Sequence, residues 1–250
     1  MTSRPVRAIA VFVVALLALS AGAFALQQTL YAEPPVQDLT PPVIASALPA
    51  VAAPVVQPAV SPGSNVPVVA SGWLRRMATR AGIPEVALRA YARAELMAPR
   101  GCGLGWTTLA GIGWVESQHG TLGGRTVSVD GHPSSPILGP ALDGVSFAAI
   151  PATPESTRLH GDPSWDHAMG PMQFIPSTWA TWRSDGDGDG TRDPHDLDDA
   201  AFAAARYLCA GGQNLATGNG WTGSVLSYNH ERVYLDAVHA AASAYADRTA

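Results

Sequence analysis

Glu116 lies in the stretch Gly113-Trp114-Val115-Glu116-Ser117-Gln118-His119-Gly120 and is one of six glutamates in a chain of 250 residues. Leu109, Ile112, Gly113 and Glu116 fall at i, i+3, i+4 and i+7, a spacing that predicts one helix face ending on a carboxylate. Thr107 or Thr108 can cap that helix at its start, and Gly120 can end it as a left-handed C′ residue. Burial against the apolar stripe and the negative end of the helix dipole would both raise the carboxyl pKa. A glutamic acid that keeps its proton near neutral pH can act as a general acid on a glycosidic oxygen. The same residues also fit a surface Glu in a last helical turn, so other segments have to decide.

A second segment, Ala168-Met169-Gly170-Pro171-Met172-Gln173-Phe174-Ile175-Pro176-Ser177-Thr178-Trp179, breaks structure at Gly170-Pro171 and restarts a helix at Pro176. Met172, Gln173 and Phe174 are thereby presented from a constrained loop. A Gln amide offers a donor and an acceptor, which suits a sugar hydroxyl. A structural turn with Met and Phe in the core reads equally well. The third segment is Leu226-Ser227-Tyr228-Asn229-His230, followed by Arg232 and Tyr234. Its Tyr and Asn can hydrogen-bond hydroxyl and acetamido groups while a ring packs on a pyranose face. A helix with a core Tyr and a capping Asn is the plainer alternative.

The fourth segment, Asp185-Gly186-Asp187-Gly188-Asp189-Gly190-Thr191-Arg192-Asp193, alternates Asp with other residues and has Gly at the sixth position, like the start of an EF-hand loop. Its carboxylates and the Thr191 carbonyl are hard oxygen ligands suited to Ca²⁺. The match then fails, because position twelve is Asp196 and Arg192 fills the usually apolar eighth position. A flexible acidic loop is the alternative. A bound metal would brace this loop rather than take part in chemistry. The seven histidines show no HExxH or paired metal spacing, which argues against a zinc peptidase. His119 and His230 adjoin the motifs but read as structural or surface residues.

These motifs need elements to hold them. Helical character runs from Trp73 to Arg80, from Pro84 at a first helical position to about Met97, and through the Glu116 stretch. It returns at Pro176 to Arg183, Leu197 to Ala210, Trp221 to His230 and Glu231 to Ala246, the alanine-rich run 200–208 being especially strong. Between Gly120 and His167 there is little period, and so long a loop in one domain is often functional; here it would form a cleft wall. No β-hairpin signal stands out. The expected class is all-α, mainly helical with long loops.

Upstream, residues 33–70 are rich in Pro, Ala and Val and predict an extended spacer, since proline disfavours a packed β segment. Arg4 and Arg7 precede an uncharged run from Ala8 to Leu26, which fits a membrane anchor or a signal peptide with Ala23-Phe24-Ala25 as cleavage site. Either would send the rest of the chain out of the cytoplasm. The expected organisation is signal or anchor over 1–26, linker over 27–71 and folded domain over 72–250. In an exported chain, Cys102 and Cys209 are expected to form a disulfide. The net charge of −5, from 15 basic and 20 acidic residues, argues against a nucleic-acid partner.

Taken in order, the first three segments resemble those of lytic murein transglycosylases. Glu116-Ser117-x-x-Gly120 looks like the catalytic E-S motif, and Gly170-Pro171-Met172-Gln173-Phe174 like G-x-M-Q. Tyr228-Asn229 resembles A-Y-N, with Ser227 in place of the usual alanine. The longer form around Pro176, with the acidic loop behind it, is similar to the membrane-bound transglycosylase B family. The resemblance covers roughly Gly72 to Tyr245. It implies a lysozyme-like domain with an EF-hand-like loop, acting on peptidoglycan glycan strands with no organic cofactor. Glu116 would protonate the leaving oxygen of the MurNAc-β-1,4-GlcNAc bond, then take a proton from the muramoyl C6 hydroxyl to give a 1,6-anhydro end. Ser117, Met172, Gln173, Phe174, Tyr228, Asn229 and Tyr234 would hold the sugar. For the loop it implies Asp185, Asp187, Asp189, Thr191, Asp193 and, as the last carboxylate, Asp199, although Asp196 stays open. A hydrolytic muramidase with a second acid (Asp143 or Asp166) and a calcium-dependent wall-binding protein are the competing readings.

Overall fold

The computed structural model describes residues 47–48, 51–57, 66–145 and 147–250, all within one unit spanning Ile44–Ala250. The stretch 1–26, expected to be a signal or anchor, lies outside the described residues. Two short strands, β1 (Val56–Gln57) and β2 (Val68–Val69), are followed by α1 (Ser71–Ala81), α2 (Glu85–Met97) and α3 (Trp106–Ser117). Then come α4 (Pro154–His160), α5 (Pro176–Trp182), α6 (Leu197–Cys209), α7 (Gly218–Tyr228) and α8 (Arg232–Thr249). The mainly helical expectation holds. No helix among the described residues is long and apolar enough to cross a membrane.

The helix that carries Glu116, α3, runs through the middle of the core. Residues 106–113 are buried on every side, so the single apolar face expected from spacing understates the packing. The long helix α8 lies along one side and α2 along another. Gly113 makes this possible, since a Cβ there would sit 2.0 Å from the Tyr91 hydroxyl. Neither end is capped as expected. Gly105 is the N-cap, and the Glu95 carboxylate of α2 accepts from Trp106 N at 2.7 Å. Thr107 and Thr108 are buried inside the first turn, where Thr108 Oγ1 accepts from Trp221 Nε1 at 3.0 Å.

At the other end the reversal begins at Gln118 (φ 52°), two residues before Gly120 (φ 84°), with His119 (φ 61°) also left-handed. Two such non-glycine residues cost on the order of 1 kcal/mol each. The buried His119 ring offsets this by meeting the Tyr91 hydroxyl at 3.0 Å and the Tyr245 hydroxyl at 2.9 Å. Burial holds that imidazole neutral, with its pKa pushed down to about 4. The structural role expected for His119 is the one seen.

α2 and α6 pack against each other, and Ala87, Ala90 and Ala94 of the first and Ala200, Ala201, Ala203, Ala204 and Ala205 of the second are fully buried. Within that contact the buried Asp198 carboxylate receives Arg89 at 2.7 Å and Arg93 at 2.9 Å, so the charge is paired rather than stranded. Cys102 and Cys209 are joined in a disulfide that ties the approach to α3 to the end of α6.

Several boundaries differ from expectation. Pro84 is the N-cap of α2, not its first helical residue. β1 and β2 pair antiparallel, Val56 with Val69, inside the stretch read as spacer. Pro67 stands just before β2 rather than within it, so no ladder donor of that strand is lost. Leu48 and Val51 also pack on the core, so chain contact with the domain begins before residue 72. The long loop between Gly120 and His167 contains α4, started by a capping box between Thr153 and Ser156 with Pro154 in the first turn. Its stretch from Ile137 to Leu142 is laid against residues 166–170: Gly139 N donates to Ala168 O at 2.8 Å, Leu142 N to Asp166 O at 2.9 Å, and Gly170 N to Ile137 O at 2.8 Å. It is a wall built from isolated bridges rather than strands.

Candidate active site

Glu116 sits in the last turn of α3 and is half-buried. Tyr234, on the first turn of α8, donates to Glu116 Oε1 at 2.6 Å. Burial raises the Glu116 carboxyl to about 7, and the Tyr234 hydrogen bond opposes that rise. The Tyr234 hydroxyl is in turn held far above its ordinary value, by burial first and by the Glu116 charge second. An acid poised near neutral pH can give up a proton and take one back within one reaction cycle. Removing the phenol removes the restraint. Tyr234→Phe is therefore expected to move the alkaline limb of any Glu116-dependent activity upward by roughly one pH unit, about the worth of one such bond. A pH–rate profile checks this, and an unmoved limb counts against the pairing.

From Tyr234 the site continues to Tyr228, whose ring lies parallel to it at a centroid distance of 6.5 Å. The Tyr228 hydroxyl donates to Met172 O at 2.7 Å, and its ring meets Phe174 edge-on at 5.8 Å. Tyr228, Gln173, Phe174, Ile175, Thr178 and Tyr207 line an open recess. Glu116 thus connects to the recess through two stacked tyrosines. Gln173 adopts a left-handed backbone (φ 49°), and its Nε2 donates to Gly170 O at 2.9 Å. The turn that presents it depends on Gly170 (φ 71°), because a Cβ there would stand 1.7 Å from Pro194 O.

Of the seven residues expected to hold a sugar, the fold brings Gln173 and Tyr228 to the recess, while Tyr234 is buried and reaches Glu116. Three others face inward. Ser117 is buried, donates to Pro171 O at 2.6 Å and accepts from Gly120 N at 2.8 Å, so its hydroxyl pins the Gly170 loop to α3. Met172 and Phe174 are core residues. Phe174 lines the recess, and Met172 contributes its carbonyl to the Tyr228 hydroxyl. Asn229 is the C-cap of α7, and its side chain accepts from Glu231 N at 3.0 Å. Tyr207 and Thr178 went unread in the sequence. Tyr207, on the alanine-rich helix α6, meets Tyr228 ring to ring at 5.5 Å. Neither Asp143 nor Asp166 engages Glu116: the first is exposed and accepts from Val145 N, and the second is buried against His160.

In the acidic loop, Asp185, Asp187 and Asp199 each offer a carboxylate oxygen within 4.8 Å of the others. Burial, then the neighbouring acids, raises Asp187 and brings Asp199 to about 7. Crowded carboxylates with this repulsion fit a hard divalent cation held by oxygen ligands. Asp196 belongs elsewhere, since it caps α6 by accepting from Asp198 N at 2.7 Å. Asp189 and Asp193 are not in the trio: their carboxylates accept from Thr191 N at 2.6 Å and His195 N at 2.8 Å. Thr191 is exposed at the loop's edge.

Among solved structures, the chain is similar to the Escherichia coli lytic transglycosylase SLT35 in complex with calcium, at 18% identity over 70% of this chain and 78% of that one, with a TM-score of 0.42. The same enzyme in complex with bulgecin A aligns at 19% identity over 75% and 80%, again with a TM-score of 0.42. A 36 kDa muramidase/transglycosylase aligns at 18% identity over 70% and 79%, with a TM-score of 0.42. Among curated proteins, no relative matches the sequence. Residues 152–227 match the family model described as Transglycosylase SLT domain, a span that includes Gln173 and the acidic loop and stops one residue before Tyr228. Within that span the chain is similar to a transglycosylase SLT domain, and Glu116 and Tyr234 complete the candidate site from outside it.

Proposed function

We propose that this protein is a peptidoglycan lytic transglycosylase that cleaves the MurNAc-β-1,4-GlcNAc bond without water. The observation that carries this reading is Glu116, a carboxyl near pKa 7 bonded to Tyr234 and joined through Tyr228 to the Gln173 recess. In the first step the Glu116 proton passes to the leaving GlcNAc oxygen as the glycosidic bond breaks. The muramoyl C6 hydroxyl then closes on C1, and its proton passes to the Glu116 carboxylate, giving a 1,6-anhydro end and restoring the acid. A retaining or inverting hydrolase would need a second carboxylate about 5–9.5 Å away. Asp143 and Asp166 are bonded elsewhere, which suits one residue acting in both steps. Gln173, Tyr228 and Tyr234 would bind the glycan and steady the charged intermediate. The test is release of soluble fragments from purified peptidoglycan: the wild type is expected to solubilise it. Binding to sacculi with no fragments released would instead favour a wall-binding protein.

We also infer that Asp185, Asp187 and Asp199 hold Ca²⁺, which would brace the loop against α6 and leave the chemistry to Glu116. Ligands must lose their protons first, so affinity is expected to rise with pH through about 7, the Asp199 value. At calcium near a hundred times its Kd the gain is about 2.7 kcal/mol, a shift of several degrees in Tm. Thermal melts with calcium and with chelator are expected to separate more at about pH 8 than at about pH 5. Asp199→Asn should abolish the separation. An equal effect in that variant would remove Asp199 from the site.

An exported location fits the same reading. The arginines before an apolar N-terminal run and the Cys102–Cys209 disulfide both suit a chain that works outside the cytoplasm.

A further inference from the structure

Outside the Glu116 site, two histidines and two aspartates gather beside the recess wall. His167 Nδ1 lies 2.7 Å from Gly139 O, and a carbonyl can only accept, so Nδ1 carries a proton. His167 Nε2 lies 3.1 Å from Asp162 Oδ2. The Asp162 carboxyl is held below its usual range, first by His167 and then by Ser164 N, so it too is an acceptor. Both ring nitrogens therefore donate, and His167 is an imidazolium. Burial opposes that charge, but the Gly139 carbonyl, Asp162 and Asp166 together outweigh it and raise the His167 pKa. Its neighbour His160, 5.2 Å away ring to ring, differs: His160 Nδ1 accepts from Asp162 N at 3.2 Å, leaving Nε2 to donate to Asp166 Oδ1 at 3.2 Å.

The other end of this arrangement is Gln173. Gly139 N donates to Ala168 O, which fixes the wall against the loop that follows His167. A Cβ on Gly139 would lie 3.0 Å from Gln173 Oε1 and 3.2 Å from the Ala168 Cβ, so wall and amide are in direct contact. Gln173 Nε2 also lies 3.5 Å from Ile137 O of the same wall.

We propose that His167 is a positioning residue, whose imidazolium clamps the Ile137–Leu142 wall to Asp162 and so sets where the Gln173 amide stands in the recess. The consequence for turnover rests on the peptidoglycan-cleaving reading, whereas the clamp itself does not. When His167 loses its proton, one of its two bonds goes and the wall is released from Asp162.

The test compares full-length wild type, Asp162→Asn, His167→Asn and His167→Ala over about pH 5 to 9, with ring and side-chain amide NMR. Expected in the wild type is a His167 ring that titrates above the ordinary 6.5 and a Gln173 amide signal that moves with it. Asp162→Asn should lower that titration and raise KM roughly tenfold near neutral pH, the scale of one charge-assisted hydrogen bond, with recovery toward acid pH. His167→Asn keeps a donor for Gly139 and should retain more activity than His167→Ala. A neutral wild-type ring near pH 6, or a Gln173 signal indifferent to it, overturns the proposal. So does a loss in Asp162→Asn that is the same at every pH, which is what simple destabilisation would give. If the wild type cleaves nothing, the peptidoglycan reading fails, while the NMR titration still decides whether the clamp exists.

Discussion

Replacing Glu116 by Gln is expected to cut turnover about 10²–10⁴-fold, the range for loss of a general acid, while making the fold more stable above neutral pH. The two effects have one cause. The native carboxyl sits near 7 because of burial, against an ordinary value of 4.5. Between those values the native state holds a proton that the unfolded chain has released, so stability falls as pH rises from 4.5 through 7. Above that window the buried charge costs about 1–3 kcal/mol. The substituted amide would carry no charge and could still accept from Tyr234, so the cost should vanish. Thermal melts are expected to coincide for wild type and variant at about pH 4 and to separate by several degrees at about pH 8, with the variant higher. Wild-type turnover in the variant would remove Glu116 from the chemistry.

The second large effect concerns the disulfide. Cys102 and Cys209 are 107 residues apart, and opening so long a loop frees about 4–5 kcal/mol of unfolded-state entropy in the chain model. For a domain of this size, that corresponds to a Tm lower by roughly 10–15 °C in Cys102→Ala with Cys209→Ala. The bridge holds the lead-in to α3 against the end of α6, and Leu215 N donates to Cys102 O beside it at 2.7 Å. Calorimetry on the double variant and on reduced wild type checks this. A melt within a degree or two of the oxidised protein would mean that the helices, not the bridge, hold this corner.

The sequence carries the helices well because their signals are local. The run Ala200–Leu208 could form little else, and Pro176 both starts α5 and stops the Gly170 loop. Glu116 is readable as the end of a helix, but its capping is not. The N-terminal partner, Glu95, comes from α2, and the C-terminal reversal depends on His119 finding Tyr91 and Tyr245 across the core. Ser117 shows the same limit: a hydroxyl next to the acid reads as a sugar contact, yet a chain turning at Gln118 needs an acceptor for Gly120 N, and Ser117 supplies it. Tyr234 lies 118 residues from Glu116, and only the resemblance to a family pointed to it. The wall from Ile137 to Leu142 has no periodicity, because its bonds go to another loop rather than to a strand. Helix α4 had a legible signal in Thr153-Pro154-Glu155-Ser156, where a cap and a first-turn proline stand together.

The central claim is that one carboxyl, Glu116, serves as acid and then base, with the sugar's own C6 hydroxyl taking the place of water. Mass analysis of the fragments released from purified peptidoglycan tests it most directly. The account predicts muropeptides ending in 1,6-anhydro-MurNAc, each lighter by one water than its hydrolysed counterpart and resistant to borohydride reduction. Fragments with reducible MurNAc ends as the initial products would contradict it and make the protein a hydrolase.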